Sequence, residues 1–237
     1  MDGIADSLKL GWDALLLKDK AYEDMRASEN PVVKGLILIV VVGLIIAVAA
    51  FIGDVLEWAS TPDLGEIKDI VLYYMTQMPW WREAAQSPEF TQTFEQIWNF
   101  NWSFAQALSP NPGNAAIGIV LTPLGLIVRW LIYGVLAYLF ARWLGGTGNL
   151  SETLGVLALA VAPQALTVLT LIPFVQLGSV IAVWAVLCAY VGLKTAHKLP
   201  WTRAAWATVL PFLLFIAASF LAGCLGSAIF AALVKGG

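Results

Sequence analysis

Five long apolar stretches, separated by polar ones, set the pattern of this chain. The first, "GLILIVVVGLIIAVAAFIG" at residues 35–53, holds no charged residue. The second falls within 115–141, the third is 153–171, the fourth 178–193 and the fifth 205–233. Crossing the hydrocarbon of a bilayer takes about 20 mainly apolar residues in a helix. Each stretch meets that length, the fourth by drawing on residues 175–177. An open strand cannot satisfy its backbone polar groups in lipid. The pattern therefore predicts an all-α, polytopic transmembrane bundle of five spans, with amphipathic surface helices between them.

The polar segments have patterns of their own. Near the N-terminus, Ile4, Leu8, Trp12, Leu15 and Leu16 recur at helical spacing. They predict an amphipathic helix lying on the inner membrane face or against the bundle. In the connection 54–114, Leu64, Ile67, Val71, Tyr74, Met75 and Met78 make one apolar stripe. Further on, Ser87 offers an N-cap and Pro88 the first helical position. Phe90, Phe94, Ile97, Trp98 and Trp102 then follow as an aromatic face, the candidate outer docking surface. The chain divides accordingly into a cytoplasmic amphipathic segment (1–34), a first transmembrane helix (35–53), an extracytoplasmic, helical, aromatic-rich insertion (54–114) and a four-helix transmembrane remainder (115–237).

Composition agrees with a membrane protein. Of the 237 residues 59% are hydrophobic and 12% charged, about half the charged fraction of a soluble domain. The 11 Trp suit the headgroup zone, where an indole keeps its ring apolar and its N–H wet. Nine of the Lys and Arg residues outside the spans fall in segments that share a side with the N-terminus, and three fall opposite. The positive-inside rule then places the N-terminus inside and the C-terminus outside a prokaryotic cytoplasmic membrane. The first 34 residues carry seven acidic and five basic groups, unlike the short basic start of a cleaved signal peptide, so the first span is expected to stay. A net charge of −3 gives no reason to expect nucleic acid as a partner. Cys188 and Cys224 both sit in apolar runs, which argues for inert thiols rather than a disulfide or metal site. With a single His and no hydrolase, metalloprotease or phosphate-loop motif, no catalytic residue and no cofactor are expected.

A few residues inside the spans could carry function. Arg129 is the charge deep in a span, where insertion costs several kcal/mol. Thr122 and Pro123 offer a cap and first helical residue. A helix starting at Pro123 would leave Arg129 in its first two turns, able to snorkel outward. Pro163 interrupts the third span and frees a carbonyl, which the neighbouring Gln164 is expected to answer unless it bonds another helix. Ala217, Ala218, Gly223, Gly226 and Ala228 suit close helix packing in the fifth span. His197, among basic residues in a loop, is expected to be solvated.

The second half also resembles a known family. "SETLGVLALAVAPQALTVLTLIPF" and "VIAVWAVLCAYVGLKTAHKLPWTRAAWATVL" are similar to the prokaryotic branch of the Yip (Ypt-interacting protein) family. Thr153-Leu154-Gly155, Ala162-Pro163, Ile172-Pro173, Trp184, Gly192-Leu193-Lys194 with His197, and Arg203-Ala204 carry the likeness, together with "ALLLKDKAYEDMRASENPVVKGLILIVVV" leading into the first span. It covers roughly residues 14–52 and 116–220. The resemblance implies a five-span helical membrane protein with a cytoplasmic N-terminus. Eukaryotic relatives bind Rab-type GTPases and act in vesicle traffic; the Asp-Leu-Tyr-Gly-Pro motif of those relatives is absent here. The expected function is a non-enzymatic scaffold or partner-binding subunit whose contacts are the lipid bilayer and a membrane-protein partner or second copy. The alternative is a small permease or channel using Arg129, Pro163, Gln164 and Trp184.

Overall fold

Among the described residues 88% are helical and none forms a strand, as the five apolar runs require. The computed structural model describes residues 2–60, 62–109, 112–172 and 175–235; Pro173 and the side chain of Ala228 lie outside the described residues. In order, the helices are α1 Asp2–Leu15, α2 Asp19–Ala27, α3 Pro31–Ser60, α4 Leu64–Thr76, α5 Pro79–Ala84, α6 Pro88–Leu108, α7 Pro112–Trp143, α8 Leu150–Ala158, α9 Gly178–His197 and α10 Trp201–Lys235. Between α8 and α9 the chain winds as a 3-10 helix, Leu159–Leu171. Five helical stretches are long and apolar enough to cross a membrane: Pro31–Ser60, Ala115–Trp143, Leu150–Leu171, Gly178–His197 and Trp201–Ser227. The chain forms two compact units, one of residues Met1–Ala49 and Ile119–Gly237, the other of residues Ala50–Gly118.

The core of the first unit is built around α8, the 3-10 segment and α9. Leu154, Val156, Leu159, Cys188 and Leu193 are buried there with Tyr22 and Met25 of α2 and Leu38 and Ile39 of α3. Asn149 starts α8 by accepting from the Glu152 amide at 2.8 Å, while its own amide donates to the Glu152 carboxylate at 3.0 Å. The first bond satisfies one free amide of the helix start, and the second, between side chains, holds the capping Asn149 in place. Where α3 crosses α8, glycines allow backbone contact. A Cβ on Gly35 would stand 2.6 Å from that of Ala158, and one on Gly155 would fall on Pro31.

The N-terminal helix packs against the bundle, with a face the hydrophobic pattern did not suggest. Ser7, Gly11 and Ala14 turn inward, and Gly11 sits under Leu38. The large apolar stripe turns away: Ile4, Leu8, Trp12 and Leu16 are exposed. The turn into α2 bends at Leu17, with φ of 53°, a left-handed conformation that costs about 1–2 kcal/mol outside glycine. It is held from α9, where Trp184 Nε1 donates to the Leu15 carbonyl at 2.8 Å and Cys188 Sγ lies 3.5 Å from the Ala14 carbonyl. Burial beside Cys188 pushes the Tyr22 phenol well above its ordinary range, so it stays protonated and donates to the Ala14 carbonyl. Trp184 lies 13 residues before the end of α9, about 20 Å along its axis. The α1–α2 turn is thus held nearer the start of α9, about 9 Å from it along the axis.

In the second unit, Asp63 caps α4 and Ser87 caps α6, with Pro88 at the first position as the sequence predicts. Phe90, Phe94, Trp98 and Trp102 recur every four residues and form a continuous ladder, with ring centroids 6.0, 5.4 and 5.5 Å apart. Trp81 of α5 closes on Phe90 and Phe94 edge-on, at 5.8 and 4.6 Å.

Candidate functional site: a cavity at Arg129

Two of the polar residues singled out within spans meet in one cavity of the first unit, about 330 Å³ in volume. One wall is α7, where Leu126, Arg129, Trp130 and Tyr133 fall at steps of three, one and three and so share a helical face. Another wall is the 3-10 segment. Pro163 has no N–H to continue α-helical bonding, and a 3-10 helix has three residues per turn with i and i+3 eclipsed. Val161, Gln164 and Thr167 therefore line up in a single row along the cavity. Pro163 itself is buried behind that row. The third wall is α9, whose Ala182, Ala185 and Ala189 leave the space open.

Arg129 does not escape by position. The helix runs unbroken through Thr122 and Pro123 from Pro112, so the expected start at Pro123 is not found. A proline inside a long helix bends it without ending it when the flanking turns are packed, and here Pro123 is buried where α3 approaches through Gly43. Arg129 stands midway along the span Ala115–Trp143. Half the hydrocarbon thickness is about 15 Å, beyond the reach of one side chain, so snorkelling from the centre is incomplete.

The groups around it are already engaged. Trp130 Nε1 donates to the Leu154 carbonyl at 2.9 Å, and Tyr133 donates to the Thr208 carbonyl at 3.0 Å. Thr167 donates to the Gln164 carbonyl at 2.6 Å. Among the described residues, no hydrogen bond or ion pair reaches the Arg129 guanidinium. The Gln164 amide likewise bonds neither a freed carbonyl nor a neighbouring helix, contrary to expectation. The cavity lining contains no carboxylate.

Trp184 stands apart from this cavity, clamping the α1–α2 turn. Of the aromatic docking face, Phe90, Phe94, Trp98 and Trp102 form the ladder, whereas Ile97 is exposed outside it. The Trp98 indole N–H is buried without a partner.

His197 is the residue the sequence misplaces. It is 1% exposed, the last residue of α9, with Nε2 2.8 Å from Thr153 Oγ1. Gly146 and Gly148 lie against it so closely that a Cβ on Gly146 would stand 2.6 Å from Nδ1. The Gly-x-Gly spacing was the one local signal, and it lies 50 residues away in sequence. Nearby, Arg26 and Glu152 join α2 to α8 at 3.2 Å.

The chain matches the Yip1 domain over residues 12–222. It belongs to the Yip1 family. No curated protein and no solved structure matches it. As a Yip-domain chain it is a multi-span membrane protein and not an enzyme. Among the described residues no group of three or more His, Cys, Asp or Glu is placed to hold a metal. The matched interval includes the cavity, the His197 cluster and also the connection 54–114, which the resemblance alone left aside. It ends at Ala222, partway along α10.

Proposed function

We propose that this Yip-domain protein is a membrane scaffold that binds a partner within the bilayer, either another membrane protein or a second copy. The observation that carries this reading is the far half of α10. Every residue from 213 to 227 is exposed, and nothing lies within 4 Å of where a Cβ would stand on Gly223 or Gly226. Ala218, Ala222 and Gly226 form one row at four-residue steps, and Ser219, Gly223 and Ser227 form the row beside it. Helices pack in lipid by bringing such small residues together. The close packing that these residues suit is not supplied by the chain itself among the described residues.

In the orientation proposed here, with the N-terminus inside a prokaryotic cytoplasmic membrane, the aromatic face of Phe90, Phe94, Ile97, Trp98 and Trp102 adds an outer docking surface. Purification of the full chain in a mild detergent is expected to yield a stoichiometric partner or an oligomer, lost in Gly223→Leu. Recovery of a lone monomer from native membranes overturns the reading. A small permease or channel is the second reading, favoured by the meeting of Arg129 and Gln164 in one cavity. Its test is solute flux in liposomes, which must fall in Arg129→Leu and Gln164→Leu.

A further inference from the structure

We propose that the Arg129 cavity holds an anionic amphiphile, with its charged head on the guanidinium and an aliphatic chain along the alanine wall of α9. The inference rests on neither the scaffold nor the permease reading. A guanidinium at mid-span is tolerated where it faces a protein interior or a polar cavity and has a counter-charge or acceptors. Here it faces a cavity, yet the protein supplies no counter-charge: the lining holds no carboxylate, and the nearby Gln164, Leu154 and Thr208 carbonyls already accept from Thr167, Trp130 and Tyr133. Charge complementarity therefore asks for an anion from outside the chain. Planar, five-donor arginine favours phosphate and carboxylate oxygens, and the unengaged Gln164 amide in the same cavity adds a donor for a second oxygen.

The rest of the lining selects what carries the anion. Leu126, Ile181, Ala182, Ala185 and Phe212 are apolar, so a free inorganic anion would leave most of the wall against water. A volume of about 330 Å³ is at the lower end of small-molecule sites, enough for a headgroup and part of one chain. The rows that line the cavity belong to α7, the 3-10 segment and α9, helices that span the bilayer, so such a molecule has lipid as its source and route.

The test is native mass spectrometry of the full chain released from detergent micelles in the presence of phosphatidylglycerol, phosphatidylcholine, dodecanoate or inorganic phosphate. One phosphatidylglycerol or one dodecanoate is expected to stay bound, at least tenfold in preference to phosphatidylcholine; which of the two is retained more tightly assigns the source as phospholipid or free acyl carboxylate. Arg129→Gln should lower retention at least tenfold, and Arg129→Lys should restore part of it. Ala182→Phe fills the cavity while keeping Arg129, and should also abolish retention; it decides the question alone if Arg129→Gln does not insert. Equal retention of phosphatidylglycerol by wild type and both Arg129→Gln and Ala182→Phe overturns the proposal. So does equal retention of phosphatidylcholine, or displacement of the lipid by inorganic phosphate at matched concentration.

Discussion

At His197 one ring joins three pieces of chain. Thr153 Oγ1 is 2.7 Å from the Asn149 carbonyl, which can only accept, so the hydroxyl proton points there. Nε2 of His197 must then be the donor to Thr153 Oγ1, and Nδ1 is left as a buried atom without a partner. The His197 carbonyl meanwhile accepts from the Thr147 amide at 3.2 Å. A methyl at Gly146 would meet Nδ1 at 2.6 Å and the Ala141 carbonyl at 2.7 Å. Gly146→Ala is therefore expected to cost about 1–3 kcal/mol through overpacking, read as a lower thermal midpoint in detergent; an unchanged midpoint sinks the account. Trp184→Phe removes the donor to the Leu15 carbonyl and should cost about 1 kcal/mol. Proteolysis at residues 16–18 should quicken, with the thermal midpoint only slightly lowered. Arg129 and Gln164 were legible in the sequence because a polar residue in an apolar run is conspicuous by itself. His197 was not, because the residues that bury it come from another helix and a loop.

At the scale of elements, α1 reverses the logic of a soluble amphipathic helix. In water the large apolar side chains would mark the packed face. In lipid they can face outward at no cost, and small residues make the protein contact. The stripe of Ile4, Leu8, Trp12 and Leu16 was thus read correctly as a face, but its neighbours were not. Leu8→Ala is expected to change stability by less than about 0.5 kcal/mol, as an exposed substitution does. Gly11→Leu, driven against Leu38, should cost about 1–3 kcal/mol. Equal thermal midpoints for the two variants would show that α1 is not docked this way. The third span holds the other surprise. Its interruption at Pro163 was legible, but not that the chain winds as 3-10 for 13 residues. An α-helix advances about 100° per residue, so α-winding from Val161 would turn Thr167 about 120° out of the row. Pro163→Ala is expected to relax the segment toward α. Maleimide labelling of Thr167→Cys, with both native cysteines replaced, should then fall; labelling at the wild-type rate excludes that account.

At the scale of the whole molecule, the number of spans was the most legible property, since length and mean hydropathy are read directly along the chain. Which spans touch depends on residues distant in sequence, and no local pattern announces the crossing of Gly35 with Ala158. The aromatic ladder of the second unit gives a separate check. Trp81→Ala removes three ring pairs, with Trp80, Phe90 and Phe94, each worth about 0.5–1.5 kcal/mol beyond buried area. Amide exchange along α6 should accelerate while exchange in α8 and α9 stays as it was. Acceleration in both would mean that the units do not open independently.

The clamp of Trp184 on Leu15 also has a consequence for how the protein is made. The two residues are 169 positions apart, so the first helix leaves the ribosome long before its anchor exists. At roughly 5–20 residues per second the wait is about 10–30 s. Throughout that interval α1 carries a greasy stripe with nowhere in the chain to put it, and the bilayer is the one place that accepts it. The same outward face that marks α1 as docked in the finished protein lets it linger at the membrane during synthesis, ready for α9 to arrive.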